Sequence, residues 1–203
     1  AGFPIKVLKN RENYGLGGSH KVAFNYAIEN NFDYVIVLHG DDQGSISDMI
    51  PVLENGAFKK YDCCLGGRFA KGSKLVGYSK FRTFGNLVFN VSVGKRILDL
   101  GAGLNLYSTR MLKSKYYEKF PDNLTFNCYM LFALASYKQT YRFVPIVWRE
   151  EDQVSNVKMT RQAWQTLKMA VSYFFGRKKF MLKDAREKKF KEYKSDVVFS
   201  TED

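Results

Sequence analysis

The chain is short of the residues that staple or punctuate small scaffolds: of 203 residues, three are cysteine, four proline and two histidine. Cys63 and Cys64 are adjacent, Cys128 is remote, and no CxxC or Cys/His cluster occurs, so free thiols in a reducing compartment are expected rather than a disulfide framework. Long apolar runs are missing too. The best, Met169 to Phe175, is interrupted by Ser172, well short of the ~18 to 20 residues a membrane span requires. Neither a signal peptide nor an initiator Met opens the sequence, which starts Ala1-Gly2-Phe3 and moves directly into a strand-like segment; the expectation is a fragment whose beginning is absent. No internal repeat or low-complexity linker is visible, so the simplest division is a domain over 1–158 and a basic amphipathic helical extension over 159–203.

What is present is core-forming material and positive charge. The chain is 45% hydrophobic and 16% aromatic, which excludes intrinsic disorder. A chain of this length buries roughly 70% of the surface its unfolded form exposes, without a disulfide or structural metal. Lys and Arg number 32 against 20 Asp and Glu, a net charge of +12. From Arg177 to Lys194 there are nine basic residues and three acidic ones, half of the whole excess. Such a tail favours an anionic partner: nucleic acid, acidic lipid or a phosphorylated substrate.

Patterning predicts an α/β fold. Ile5–Leu8 reads as a strand, Gly15–Ser19 as a turn, and the following residues to about Asn30 as a helix with Val22, Ala23, Tyr26 and Ala27 on one face. Tyr34-Val-Ile-Val-Leu38 is continuously apolar and β-branched, as expected of a strand buried on both faces of a parallel sheet. Together they form a candidate βαβ unit, which places ligands at the carboxyl ends of strands. Further strands are expected at Asp62–Leu65 and Tyr141–Trp148, the latter at a sheet edge because of Pro145. Helices are expected within Tyr78–Leu98, over Asn123–Tyr137 and from Met159 onward.

Two local motifs carry chemistry. Gly15-x-Gly17-Gly18 opens a helix, where close-approaching amides and the helix N-terminus can cradle a phosphate, although a purely structural turn accounts for it better. His39-Gly-Asp41-Asp42 follows the apolar strand. Carboxylates there suit a Mg²⁺ or Mn²⁺ ion on a diphosphate, because phosphate and water complete the shell. The competing reading is helix capping, with Asp42 or Ser45 satisfying the free N–H groups ahead of Ile46.

Taken in order, Asn13-Tyr-Gly-Leu-Gly-Gly, Tyr34 to Gln43, Leu65-Gly-Gly-Arg-Phe, Phe84-Gly-Asn, Asp99 to Tyr107 and Val144 to Arg149 resemble the family 2 glycosyltransferases. Within these the chain looks most like the polyprenyl-phosphate (dolichyl-phosphate mannosyltransferase type) sugar transferases and bacterial surface-polysaccharide enzymes. The likeness spans about Ile5 to Lys158. It implies a GT-A fold with a mostly parallel sheet, here lacking its N-terminal strands. It also implies an inverting transfer from a nucleotide-sugar donor to a polyprenyl phosphate or glycan acceptor, with a divalent cation, Mn²⁺ or Mg²⁺, on the diphosphate.

The resemblance carries over residue by residue. The Asp-x-Asp motif falls on His39-Gly40-Asp41, making Asp41 the metal ligand, with His39 and Asp42 as its companions. Imidazole suits Mn²⁺ better than Mg²⁺. Arg68 matches a phosphate clamp and Asp99 an acceptor-orienting carboxylate; Asn105 stands where an acceptor-side arginine is usual, and Ala102 replaces a serine. Arg149, Ser155 and Lys158 match a loop closing over the diphosphate, and Gly17 belongs to the phosphate-side turn. Thr125–Cys128 holds no carboxylate to act as general base, which favours a phosphate acceptor already ionised at neutral pH, with Asp99 or Asp122 as the alternative base. Localisation follows as cytoplasmic, at the inner face of the membrane, with the C-terminal helices in peripheral contact with anionic lipid and no nucleic-acid partner. The rival readings are a basic nucleic-acid-binding module and a degenerate transferase retained as a membrane scaffold.

Overall fold

In a computed structural model, which describes residues 3–76, 97–101, 103–149 and 156–201, the chain is a mixed α/β protein. Lys6–Asn10 forms β1, Gly15–Glu29 helix α1 and the apolar run Tyr34–Leu38 strand β2. A 3₁₀ turn over Ile46–Asp48 precedes a short helix α2, Ile50–Glu54, then β3, Cys63–Gly67, and β4, Lys74–Val76. The order continues with β5 (Leu104–Ser108), α3 (Thr109–Leu112), α4 (Phe126–Ser136), β6 (Tyr141–Pro145), β7 (Val147–Arg149), α5 (Asn156–Leu182) and β8 (Ser195–Ser200). The amphipathic segment expected within Tyr78–Leu98 falls mostly outside the described residues.

The central sheet has the order β2-β5-β3-β6. Strand β5 runs antiparallel to both of its neighbours, and β3 is parallel to β6. Two of three pairings are therefore antiparallel, a correction to the mostly parallel sheet expected, because β5 is inserted against the common direction of β2, β3 and β6. Pro145 ends β6 at the sheet edge, as its missing N–H requires.

The expected βαβ unit is also revised. Strand β1 does not join β2 but pairs antiparallel with β8, from Lys6 opposite Ser200 to Asn10 opposite Ser195, with an irregularity between Val7 and Leu8. Val197-Val198-Phe199 supplies the β-branched and aromatic side chains that suit a strand, and Arg11 clasps Asp196 through Nε at 3.0 Å and Nη2 at 2.7 Å. The C-terminal extension is thus helical only to Leu182.

Among the described residues strand β2 pairs on one side only, at one end of the sheet, yet both of its faces are covered. Val35 and Val37 pack on one apolar cluster; Tyr34 and Ile36 pack on the other. Period-2 alternation divides the adjacent cysteines in the same way, Cys63 to the first cluster and Cys64 to the second. All three cysteines are buried and unpaired with one another. Helix α4 is apolar all round and buried along its length. It carries α5 through ring stacking of Phe132 on Tyr173, centroids 4.4 Å apart, and of Tyr129 on Phe180, 4.7 Å apart.

Candidate functional site

Because β2, β3 and β6 point one way and β5 the other, four segments meet at a single sheet edge: residues 39–44 after β2, Arg68 after β3, residues 97–103 before β5, and Ile146–Arg149 after β6. Carboxyl ends of strands are where open α/β sheets bind ligands. Backbone bonds fix the loops to each other. His39 N–H donates to Gly103 O at 2.9 Å and Arg149 N–H to Gln43 O at 3.0 Å, while Val147 N–H donates to Asp48 Oδ2 at 2.9 Å. Trp148 is the buried floor of this edge. A Cβ at Gly103 would stand 3.0 Å from its ring and 2.7 Å from His39 Nδ1, and the Arg68 guanidinium lies 5.3 Å above the indole centroid.

The acidic loop presents Asp41 and Asp42, both exposed. Asp41 Oδ1 accepts from Gln43 N–H at 3.2 Å, a local turn that orients the carboxylate; Asp42 holds a left-handed backbone, φ 58°. Capping of the Ile46 turn is done by Ser45, whose hydroxyl accepts from Ser47 N–H at 3.2 Å. This leaves Asp42 unused as a cap, and carboxylate oxygen is the ligand type that a hard divalent cation takes. His39 fits less well than the sequence suggested. Its ring is wedged on Gly103, and its Nε2 is closed off from solvent without a partner. Burial lowers its pKa, partly offset by Asp41. Among the described residues no three His, Cys, Asp or Glu side chains are gathered closely enough to hold a metal ion by themselves.

Arg68 and Asp99 come together, but with each other. Arg68 Nε and Nη2 donate to Asp99 Oδ2 and Oδ1 at 2.7 and 2.6 Å, and the backbone N–H groups of Arg68 and Gly101 add bonds of 2.9 and 3.0 Å. Asp99 is almost wholly buried, so it is a structural latch between β3 and the loop before β5 rather than an accessible acceptor ligand. Asn105, buried on β5 opposite Val37 and Leu65, lines a small cavity with Asp99 and Asn127. Arg149 is exposed beside the acidic loop. Ser155 lies outside the described residues, and Lys158 belongs to α5 without a described side chain.

Gly17 serves packing. Its N–H donates to Asp122 O at 2.8 Å, and a Cβ there would overlap Pro121 O and approach Phe126 Cβ to 2.8 Å. Its amide is taken, so the structural account of this turn prevails at Gly17. Asp122 is likewise committed: it forms a buried ion pair with Lys21 Nζ at 2.6 Å, which removes it as the alternative general base.

His20 belongs to α1, and no local motif marks it. In the fold it lies with Leu16, Leu38, His39 and Asp41 along a cleft of about 570 Å³ between α1 and the end of β2. Its ring stands edge-on to His39, centroids 5.8 Å apart, and burial holds its pKa down at about 4. Trp148 was not singled out either; its neighbourhood to Gly44, Gly103 and Arg68 is set by long-range packing that no local spacing reveals. The chain matches no known family model and no curated protein.

Proposed function

We propose that the protein is an inverting, GT-A-type glycosyltransferase that takes a sugar from a nucleotide-diphosphate donor and passes it to a polyprenyl phosphate or lipid-linked glycan. The observation that carries this reading is the exposed pair Asp41 and Asp42 at the carboxyl end of β2, beside Arg149 and a cleft of about 570 Å³. The sequence resemblance supports it independently.

In this mechanism Asp41, with Asp42, would hold a divalent cation, Mn²⁺ or Mg²⁺, which would supply positive charge against the leaving diphosphate. Arg149 and Lys158 supply further positive charge to the same oxygens. The acceptor oxygen bonds to the anomeric carbon on the face opposite the departing diphosphate, which leaves with the electron pair of the broken C–O bond. A phosphate acceptor brings its own ionised oxygen, which agrees with Asp122 being locked to Lys21 and Asp99 to Arg68. Asp99 holds the edge together through Arg68, and Asp122 ties α1 to the segment before α4.

Calorimetric titration of nucleotide sugars with Mn²⁺ or Mg²⁺, paired with a transfer assay to a polyprenyl phosphate, tests the proposal. Asp41→Asn is expected to weaken metal-dependent binding and turnover roughly 100-fold, the scale of losing a cation that stabilises by several kcal/mol. Unchanged binding and turnover in Asp41→Asn would refute its role. The engagement of Arg68 by Asp99 favours, as a second reading, a degenerate transferase acting as a scaffold; it predicts no metal-dependent nucleotide-sugar binding at all.

A further inference from the structure

Helix α5 packs on the core through Ala170, Tyr173 and Met181, all buried. Its other side is not a typical solvated face. Trp164 is 63% exposed, Phe174 62% and Phe175 83%, with Val171 and Leu182 also exposed. Trp164, Lys168, Val171 and Phe175 succeed one another at intervals of four, three and four residues, which aligns them in one stripe along the helix. Exposed apolar residues scattered singly need no explanation, but Trp164, Val171, Phe174 and Phe175 gathered on one side of the helix around Lys168 mark an interaction surface.

The charge around the stripe is one-signed. Between Asn156 and Lys183 there are seven Lys or Arg and no Asp or Glu. Lys168, Arg177, Lys178, Lys179 and Lys183 are exposed. At Gly176 the backbone leaves helical geometry, φ −151° and ψ 48°, so the triplet Arg177-Lys178-Lys179 follows directly behind the Phe174-Phe175 pair across a kink. Arg177 leans on the buried Tyr173 ring at 5.1 Å, which holds its charge close to the helix surface.

We propose that this face of α5 docks on an anionic lipid bilayer, lying in the headgroup plane with Trp164, Phe174 and Phe175 toward the acyl boundary. Charge complementarity identifies the occupant: a basic rim without acids matches a negative headgroup layer, and the apolar stripe matches what lies beneath it. No described helix is long and apolar enough to cross the membrane, and the contact proposed for α5 is with the bilayer surface. Single-stranded nucleic acid would also meet cations and rings. However, the stripe includes Val171 and lies on a helix surface rather than in a groove, where stacked bases are usually tracked. The inference stands on α5 alone and is independent of the proposed transfer activity.

Flotation of the 203-residue chain with vesicles of phosphatidylcholine, with and without roughly 30% phosphatidylglycerol, tests it under the surface-charge argument. Binding is expected on the anionic vesicles, at least about tenfold tighter than on neutral ones, and weakened by salt. The triple variant Lys168→Gln, Lys178→Gln, Lys179→Gln should lose on the order of 100-fold, at about fivefold per charge. Phe174→Ser with Phe175→Ser should lose at least about tenfold through apolar area, and Trp164 emission should shift to the blue on binding in the parent chain. These positions are exposed, and circular dichroism confirms that each variant is folded. Equal binding to neutral vesicles, absence of binding, or variants that bind like the parent would overturn the proposal. So would a concentration-dependent dimer that the phenylalanine variant dissociates, or tight salt-sensitive capture of single-stranded DNA without vesicle binding.

Discussion

Replacing Lys21 by Met probes a fully buried and fully hydrogen-bonded ammonium. Lys21 is completely buried in α1, and its Nζ donates to Asp122 Oδ1 and Phe120 O, both at 2.6 Å, and to Tyr193 OH at 3.1 Å. Tyr193 OH donates in turn to the same Asp122 oxygen at 2.8 Å, while Asp122 Oδ2 is buried without a partner. Burial pulls the Lys21 ammonium below its usual pKa, and Asp122 acts against that pull. Two effects therefore compete in Lys21→Met: relief of the ammonium's desolvation, and abandonment of a buried carboxylate. The second wins, because breaking a buried pair from one side costs about 3–5 kcal/mol. Against a total stability of roughly 5–15 kcal/mol that is a large fraction. At ~2–4 °C per kcal/mol for a chain of this size, the midpoint should fall by roughly 6–20 °C. Urea unfolding at neutral pH measures the loss directly. Lys21→Met with Asp122→Leu should recover much of it, since an apolar replacement of both partners is often neutral. A single-variant deficit below about 1 kcal/mol, or a double variant that is simply the sum of the two singles, would refute the reasoning.

Stability should also fall in mild acid through His20, whose folded pKa of about 4 lies below its ordinary 6.5 because of burial. The neutral ring's contribution is fully present above pH 6.5 and is lost as the pH falls toward 4, by about 3 kcal/mol at most at 1.36 kcal/mol per unit. Urea titrations across that window should flatten in His20→Phe, and an unchanged slope would exclude His20 as the source. Gly17→Ala sets the ~1 kcal/mol helix preference of alanine against overlap with Pro121 O and the fixed Cβ of Phe126. Overpacking of about 1–3 kcal/mol prevails, so the thermal midpoint should drop. Arg68→Lys keeps the charge but loses the two-pronged geometry to Asp99. It should cost about 1–3 kcal/mol in chemical denaturation, and a neutral result would show the latch to be dispensable.

Local pattern made α1, β2, β3 and β6 legible, because each is bounded by turn residues and carries a period or an apolar run that only one geometry buries. The break at Ile146, where the chain leaves β3 for β4, was read through as one strand. What escaped was pairing at long range. Ser195-Asp-Val-Val-Phe-Ser200 has a β-branched and aromatic run that signals a strand, but the basic composition around it drew a helical reading. Its partner β1 lies some 190 residues earlier in sequence. At the site, Asp41 and Asp42 were readable because strand-end carboxylates are local features. The Arg68–Asp99 and Lys21–Asp122 pairs join residues 31 and 101 apart, and spacing alone does not distinguish a side chain reaching for ligand from one reaching for its neighbour.

That distinction bears on the chemistry of the sheet edge. With Arg68 neutralised by Asp99, the exposed charges on the described loops there are Asp41 and Asp42 against Arg149 and Lys71. An edge of such mixed sign attracts a diphosphate only weakly by side-chain charge, because the two carboxylates offset the two cations. Under the transferase reading the acids then have a definite task. They recruit a divalent cation, and the cation reverses the sign of the edge for the incoming donor. Donor affinity would accordingly follow cation concentration more steeply than it follows any single basic residue. Had Arg68 been free to act as the clamp, as its motif position suggested, the dependence would run the other way. Under that reading the bidentate latch would leave phosphate recognition to a cation held by Asp41 and Asp42.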